Sequence, residues 1–299
     1  MKQQIKSSLI LLLTATIWGV AFVAQSVGME YIGPFTFNAI GCVLGGLVLI
    51  PVILVLKKKK ETGAENQEKE DKKTLWAGGI ACGVILCIAS NLQQFGIMEA
   101  SVGKSGFFTA LYIVMIPVIG IFIGKRPGIK LWFCVALAVV GMYLLCMKDG
   151  SFTIERADIM LLLCALAFSF HILVVDYFSP RVDGVKMSCI QFFVCGVLSA
   201  VGMLFTETPD ISNIQAAWLP LLYAGLLSCG VGYTLQIVGQ KGINPVIASL
   251  IMSLESVISA LAGWVILGQV LSPKEILGCV LMFVAIIITQ IPIGNKKTD

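Results

Sequence analysis

Residues 245–267 read PVIASLIMSLESVISALAGWVIL, and this stretch decides which kind of fold the chain can adopt. Its 23 residues carry a single charged side chain, that of Glu255. A helix of roughly 20 apolar residues is long enough to cross the hydrocarbon core of a lipid bilayer. The stretch is therefore predicted to cross a membrane as an α-helix.

Nine other stretches have similar length and apolar character, which extends the prediction to the whole chain. Of the 299 residues, 58% are hydrophobic and 13% are charged, whereas a soluble domain has about 25% charged residues. This composition excludes a water-soluble enzyme, a disordered chain and an ordinary secreted domain. We predict an all-α integral membrane protein with ten transmembrane helices, at residues 7–27, 35–56, 74–98, 103–124, 129–147, 157–178, 185–205, 216–239, 245–267 and 273–292.

The distribution of charge orients these helices. Residues 57–73 hold seven lysines and five acidic residues, which predicts a solvated cytoplasmic linker. With the N-terminus in the cytoplasm, 17 of the 21 basic residues fall on the cytoplasmic side, in keeping with the positive-inside rule. We therefore predict a multi-pass protein of the plasma membrane, that is, the cytoplasmic or cell inner membrane. Both termini are predicted to lie in the cytoplasm.

An internal repeat relates the two halves of the chain. Two pairs of segments align without gaps, residues 96–147 with 240–291 and residues 11–48 with 161–198. The first half, residues 1–150, would hold five helices and the linker, and the second half, residues 151–299, the other five. Because five is odd, the second half enters the membrane from the opposite side. This predicts two five-helix inverted-topology repeats, an architecture that many secondary transporters use for alternating access.

Five motifs carry a resemblance to a known family: WGVAFVAQ at 18–25, GPFTFNA at 33–39, GKSGFFTALYIVMIP at 103–117, GKRP at 124–127 and NPVIASLIMSLESV at 244–257. In these motifs, and over essentially its whole length, the chain resembles the EamA-type branch of the drug/metabolite transporter superfamily. The resemblance implies ten helices in two repeats, a central cavity, and movement of small metabolites or amino acids, often outward. The chain departs from the family pattern at three positions, which carry Gly41 instead of arginine, Ser256 instead of proline and Gln269 instead of glutamate.

Glu255 is the first candidate for a functional residue. It lies eleven residues into its span, near the midplane, where an ionisable side chain is costly and needs a cavity or a partner. One interpretation is a carboxylate at a cavity wall that binds a substrate amine or exchanges a proton. The alternative is a protonated structural glutamate, hydrogen-bonded to Ser259 or to a neighbouring helix.

His171 lies in the middle of the sixth predicted span, and the repeat aligns it with Ala21. Since Trp18 and Gln25 lie on the helical face around Ala21, pseudo-symmetry predicts that His171 faces the same cavity. An imidazole titrates near physiological pH and would suit proton coupling, whereas a neutral, hydrogen-bonded interior histidine is the alternative. Asp176, near the cytoplasmic end of this span, is interpreted as a rim or gate residue.

The remaining candidates include neutral amides and the phenol of Tyr112, which is large enough to be a candidate for the site. The amides can recognise a substrate, and hydrogen bonding between helices is their alternative role. The complete predicted cavity wall consists of Trp18, Gln25, Asn91, Gln94, Tyr112, His171, Tyr233, Gln236 and Glu255. Of these, Glu255 and His171 are the candidates for proton coupling.

Together these features predict a secondary transporter of a small organic metabolite that works by alternating access. The family resemblance implies that this metabolite is an amino acid or similar compound and that the direction is export. A passive facilitator or channel is the alternative, and an intramembrane enzyme is a weaker one because the sequence contains no catalytic constellation. We expect no catalytic residues, no metal site and no cofactor, since the chain has one histidine, no CxxC pair and no Walker motif. The expected partners are a small-molecule substrate, the lipid bilayer and a coupled proton or other ion, and not nucleic acid. The oligomeric state stays open.

Overall fold

The computed structural model of the chain describes residues 2–62, 71–100, 102–124, 127–146, 155–268 and 272–291. Within these ranges the chain forms fourteen α-helices and one π-helical segment, joined by short connections, and no β-strand. The α-helices are α1 Lys2–Gly28, α2 Pro34–Thr62, α3 Lys72–Ile97, α4 Val102–Ala110, α5 Tyr112–Phe122, α6 Ile129–Cys146, α7 Arg156–Phe178, α8 Gly184–Thr206, α9 Ile211–Ala216, α10 Trp218–Leu222, α11 Thr234–Gln240, α12 Pro245–Met252, α13 Glu255–Leu267 and α14 Pro273–Gln290. The π-helical segment, Tyr223–Tyr233, lies between α10 and α11.

Eight helical segments of the described chain are long and apolar enough to cross a membrane. They are Gln4–Gly28, Pro34–Lys58, Lys72–Ile97, Val102–Phe122, Arg156–Phe178, Gly184–Thr206, Trp218–Gln240 and Pro245–Ile266. Each matches one of the ten predicted spans. The other two predicted spans, 129–147 and 273–292, fall on α6 and α14, helices of 18 residues that are not among the eight. The all-helical membrane architecture is confirmed, and the number ten stays a prediction.

The outer surface of this bundle is apolar. Leu54, Phe122, Val197 and Phe205 are large hydrophobic side chains that are mostly exposed. Soluble monomers rarely expose extended apolar surface, because it is costly to hydrate. A surface of this kind, together with the eight long apolar segments, makes the chain a multi-pass membrane protein.

The predicted linker at 57–73 is shorter in the structure than the sequence suggested. Helix α2 continues to Thr62, and α3 begins at Lys72, where Asp71 caps its first turn through the Lys73 N–H. Lysine and glutamate are good helix formers, so a membrane helix can continue beyond the hydrocarbon into water. Residues 63–70 lie outside the described part of the chain.

Helices of the first half pack antiparallel against helices of the second half. In the pair of α2 and α8, Phe35 lies beside Gly202 and Val43 beside Gly196, so sequence numbers rise along one helix as they fall along the other. The same order holds for α3 and α7, where Gly78 lies beside Phe178 and Gly96 beside Leu161. In the pair of α6 and α14, Gly141 lies against Gly278 and Met282, and Lys130 near the start of α6 donates to the Ile291 carbonyl at the end of α14, so this pair is antiparallel as well.

Helix α1 belongs to the first half and contacts two spans of the second half. The Thr14 hydroxyl donates to the Gly232 carbonyl (3.4 Å) and the Trp18 indole N–H donates to the Ser228 carbonyl (3.4 Å). These bonds set α1 antiparallel to the π-helical segment. On another face of α1, Gly19 lies against Ile258 and the Glu255 carbonyl of α13. Its missing side chain permits this close approach.

Glu207, just after α8, caps the first turn of α2. Its carboxylate accepts hydrogen bonds from the Phe35 N–H (2.8 Å), the Thr36 N–H (2.9 Å) and the Thr36 hydroxyl (2.6 Å). The first N–H groups of a helix have no partner within the helix, and a negative charge there also interacts favourably with the helix dipole. The cap therefore ties the second half of the chain to the first.

Replacing Glu207 with alanine removes this cap, and we expect a loss of about 1–2 kcal/mol of stability. The measurement is the thermal unfolding midpoint of the purified protein in detergent, which falls in E207A. Glu30→Ala is the matched control, because Glu30 is exposed and has no such role. Equal midpoints for the two variants would contradict the cap.

Gly19→Ala tests the contact between α1 and α13. A Cβ atom at this position would lie 2.4 Å from Ile258 Cβ and 2.8 Å from the Glu255 carbonyl oxygen, so the helices must separate. Overpacking of this kind costs about 1–3 kcal/mol, which again lowers the unfolding midpoint.

Gly103→Ala is the control for this substitution, because a Cβ atom at Gly103 meets nothing within 4 Å. We expect its midpoint to equal or exceed that of the wild type, since alanine is the better helix former. A G19A protein as stable as G103A would contradict the close approach of α1 to α13.

Candidate functional site

A cavity lies between the two halves of the chain. Both halves contribute to its wall, which is formed by Trp18, Ala21, Phe22, Gln25, Gln93, Thr109, Tyr112, Phe168, Ile172, Ser228, Tyr233, Gln236 and Glu255. Six of the nine side chains predicted from the sequence are among these, namely Trp18, Gln25, Tyr112, Tyr233, Gln236 and Glu255. The other three, Asn91, Gln94 and His171, lie elsewhere in the bundle.

Two spans that border the cavity are interrupted near their middles. The span Val102–Phe122 breaks at Leu111, between α4 and α5, and the span Pro245–Ile266 breaks at Ser253 and Leu254, between α12 and α13. At both breaks backbone N–H groups bond to the third preceding carbonyl, as from Leu254 to Ile251 (3.2 Å). Such tight turns inside a helix mark strain or a hinge. In the repeat alignment Leu111 corresponds to Glu255, so the two breaks lie at nearly equivalent positions.

Glu255 and Tyr112 meet where these two breaks come together. Each is the first residue of the helix that follows its break, and both are buried. The Tyr112 hydroxyl donates to Glu255 Oε1 at 3.1 Å, which joins the two halves of the chain. Among the described residues the carboxyl group has no other polar contact. Ser259, the partner considered from the sequence, donates instead to the Ser256 carbonyl (2.8 Å).

A chain of amides crosses another part of the cavity wall. Gln25 donates to the Gln93 side-chain oxygen (3.2 Å), and Gln93 donates to the Thr109 hydroxyl (3.4 Å). Gln93 lines the cavity, whereas Gln94, the neighbour predicted to do so, does not. Gln94 is fully buried, and its amide has no hydrogen-bond partner among the described residues. Because successive helical residues point about 100° apart, only the packing of α3 decides which glutamine faces the cavity.

Aromatic rings form much of the remaining wall. Trp18 and Tyr233 lie with ring centroids 4.6 Å apart and planes tilted by 55°. The Trp18 indole N–H bonds the Ser228 carbonyl within the π-helical segment, and this bond holds the ring in place. A π-helix in a membrane span is rare and often accompanies a functional site. Nothing in the hydrophobicity pattern indicated it.

His171 lies behind the cavity wall rather than in it. Its Nε2 atom is 3.1 Å from the side-chain oxygen of Gln191, and its ring is 6.0 Å from that of Tyr233. Phe168 and Ile172 are the residues of α7 that reach the cavity. The repeat partner of His171, Ala21, does line the cavity, so the pseudo-symmetry does not extend to the orientation of every side chain.

Asn91 connects three helices outside this cavity. Its amide donates to the Ser199 hydroxyl of α8 (2.9 Å), and its oxygen accepts from the Asn38 amide of α2 (3.0 Å). Asn91 therefore has the alternative role that was considered for the amides, which is hydrogen bonding between helices. Asp176 is half-buried near the end of α7, away from the residues that line the cavity.

A second cavity adjoins the first and shares four of its residues. The shared residues are Gln25, Gln93, Ser228 and Tyr233. Cys42 also lines the second cavity, and its sulfur lies 3.4 Å from that of Cys195, both as thiols. Within the described ranges no group of three or more histidine, cysteine or acidic side chains is arranged to hold a metal ion.

Comparison with known proteins identifies the family of this fold. The sequence profile of the EamA-like transporter family matches the chain twice, over residues 5–147 and 155–291. An uncharacterized transporter of Archaeoglobus fulgidus is 27% identical over 94% of this chain and 84% of its own length. The uncharacterized transporter YwfM of Bacillus subtilis is 24% identical over 97% of this chain and 96% of its own length.

A protein of known crystal structure shares the fold. It superimposes with a TM-score of 0.76 at 18% sequence identity, and the match covers 95% of this chain and 96% of that one. The resemblance noted in the sequence motifs is confirmed by the two profile matches and by these relatives. The chain belongs to the EamA-like transporter family.

Proposed function

We propose that this chain is a secondary transporter that carries a small organic molecule across the plasma membrane by alternating access. The observation that carries the proposal is the cavity between the two halves, with the Glu255 carboxyl group in its wall at the junction of two interrupted spans. An ionisable group in a membrane cavity is expensive and generally functional. Membership of a transporter family supports the same conclusion.

The proposed architecture is ten spans in two inverted repeats, residues 1–150 and 151–299. Two repeats of opposite topology require each helix to run antiparallel to its counterpart. The pairs of α2 with α8 and of α6 with α14, whose members are counterparts, meet this requirement. The distribution of basic residues supports cytoplasmic termini, because 17 of the 21 would then lie on the cytoplasmic side.

The contact between Tyr112 and Glu255 suggests how binding is linked to movement. A substrate makes its first contact with the free Oε2 atom of Glu255 and then competes for Oε1 with the Tyr112 hydroxyl, whose hydrogen bond joins the two halves at this level. Loss of that bond would free the segments on either side of the breaks to rearrange. A ligand shifts a conformational equilibrium when it binds one state better than the other, and this competition supplies such a difference.

Coupling to a proton would use the same carboxyl group. Glu255 can take up a proton when no substrate is bound, so proton and substrate would exchange at one site. His171, the other candidate, is bonded to Gln191 behind the wall, which makes it the weaker one. The proposed cargo is an amino acid or similar metabolite, and the proposed direction is export.

Glu255→Gln tests this proposal. We expect the variant to fold and insert but to lose most counter-exchange in proteoliposomes, about tenfold or more, since an amide cannot pair with a cation or release a proton. Vesicles are loaded with a mixture of amino acids and biogenic amines, and mass spectrometry follows which compounds leave in exchange for external ones.

Glu99→Gln makes the same chemical change at an exposed position and is expected to transport like the wild type. Exchange by E255Q at the wild-type rate and with the wild-type dependence on pH would contradict the role of Glu255. Flux that does not saturate and shows no counter-exchange would indicate a passive channel instead.

A further inference from the structure

We propose that the cavity selects organic cations, namely amines that carry N–H donors and no free carboxylate. This inference rests on the proposed transport function and replaces the amino acid named there as cargo with an amine that has no carboxylate. It depends on three properties of the wall: its charge, its unpaired hydrogen-bond acceptors and its aromatic rings.

The charge of the wall favours a cation. Among the described residues that line the cavity, Glu255 is the one carboxylic acid, and there is no lysine, arginine or histidine. A carboxylate brought into this space would face Glu255 without a basic partner, and an unpaired buried charge is costly. A zwitterionic amino acid would thus satisfy its amine but not its carboxylate, whereas a simple amine is matched by Glu255.

Two side-chain oxygens of the wall have no hydrogen-bond donor among the described residues. Gln236 borders the cavity, and its buried side-chain oxygen is unpartnered in the described part of the chain. Tyr112 donates to Glu255 Oε1, which leaves Oε2 without a donor from those residues. An ammonium group carries several N–H donors and no acceptor, so it can supply the donors that these two oxygens lack.

The aromatic rings supply the remaining surface. Trp18, Phe22, Tyr112, Phe168 and Tyr233 all border the cavity. Ring faces attract cations through their quadrupole, and the attraction is stronger where water is excluded. The tilted pair of Trp18 and Tyr233 forms a corner that can contact a ligand on two sides. These rings also accept the apolar body of an amine, so the expected ligand has a charged head and a hydrophobic part.

Matched ligands test the charge preference directly. The full-length protein in detergent is titrated calorimetrically with 2-phenylethylamine, phenylalanine and 3-phenylpropanoate, which share a ring and differ in charge. Butylamine, norvaline and pentanoate form a second, aliphatic set. We expect each amine to bind at least about tenfold more tightly than its amino acid, and neither acid to compete.

Variants show whether the proposed acceptors are responsible. Glu255→Gln and Gln236→Leu should each weaken amine binding by about tenfold or more, while Glu99→Gln leaves it unchanged. The cation preference is overturned if neither amine binds, if phenylalanine or norvaline binds as tightly as its amine, or if E255Q binds amines like the wild type. Thermal unfolding of each variant shows that it is folded.

Flux measurements separate this inference from the proposed function. If amines bind selectively but do not exchange across proteoliposomes, cation selection holds and transport is contradicted. If phenylalanine exchanges and the amines neither bind nor exchange, transport holds and cation selection is contradicted.

Discussion

The Glu255 carboxyl group lies inside an apolar bundle, and Tyr112 from the other half of the chain supplies its hydrogen bond. A buried polar group without a partner is costly, so this contact constrains everything around it. It requires two spans from different halves to meet at one depth, and both are interrupted there. It also leaves one carboxylate oxygen for a ligand. The Tyr112 hydroxyl, which stabilises the packing of the two halves, and a bound ligand therefore use the same carboxyl group.

Much of this arrangement could be predicted from the sequence, because a lipid bilayer restricts which structures can cross it. Hydrocarbon requires long apolar helices, so the spans could be located from composition, and eight of them correspond to long apolar helices in the structure. Charge is so scarce within these spans that Glu255 was an evident candidate. The motifs around Trp18, Gly103 and Asn244 indicated the family, which the profile matches confirm. In each case one physical requirement or one motif was sufficient to make the prediction.

Side-chain direction was less predictable, because a membrane helix is apolar on nearly every face and gives little amphipathic signal. The sequence could not distinguish Gln93 from Gln94, or show that Phe168 and Ile172 rather than His171 reach the cavity. Both choices depend on how α3 and α7 are rotated by their neighbours. The breaks at Leu111 and Ser253 and the π-helical segment arise from backbone hydrogen bonds that no hydropathy pattern records.

Glu255 is proposed as the residue at which the substrate binds the protein. An experimental structure of the full chain with 2-phenylethylamine bound would locate the ligand. We expect the ammonium nitrogen within hydrogen-bond distance of the Glu255 carboxylate and the Gln236 oxygen, with the ligand ring against Trp18 or Tyr233. A ligand bound elsewhere, with the bond between Tyr112 and Glu255 unchanged, would contradict this proposal.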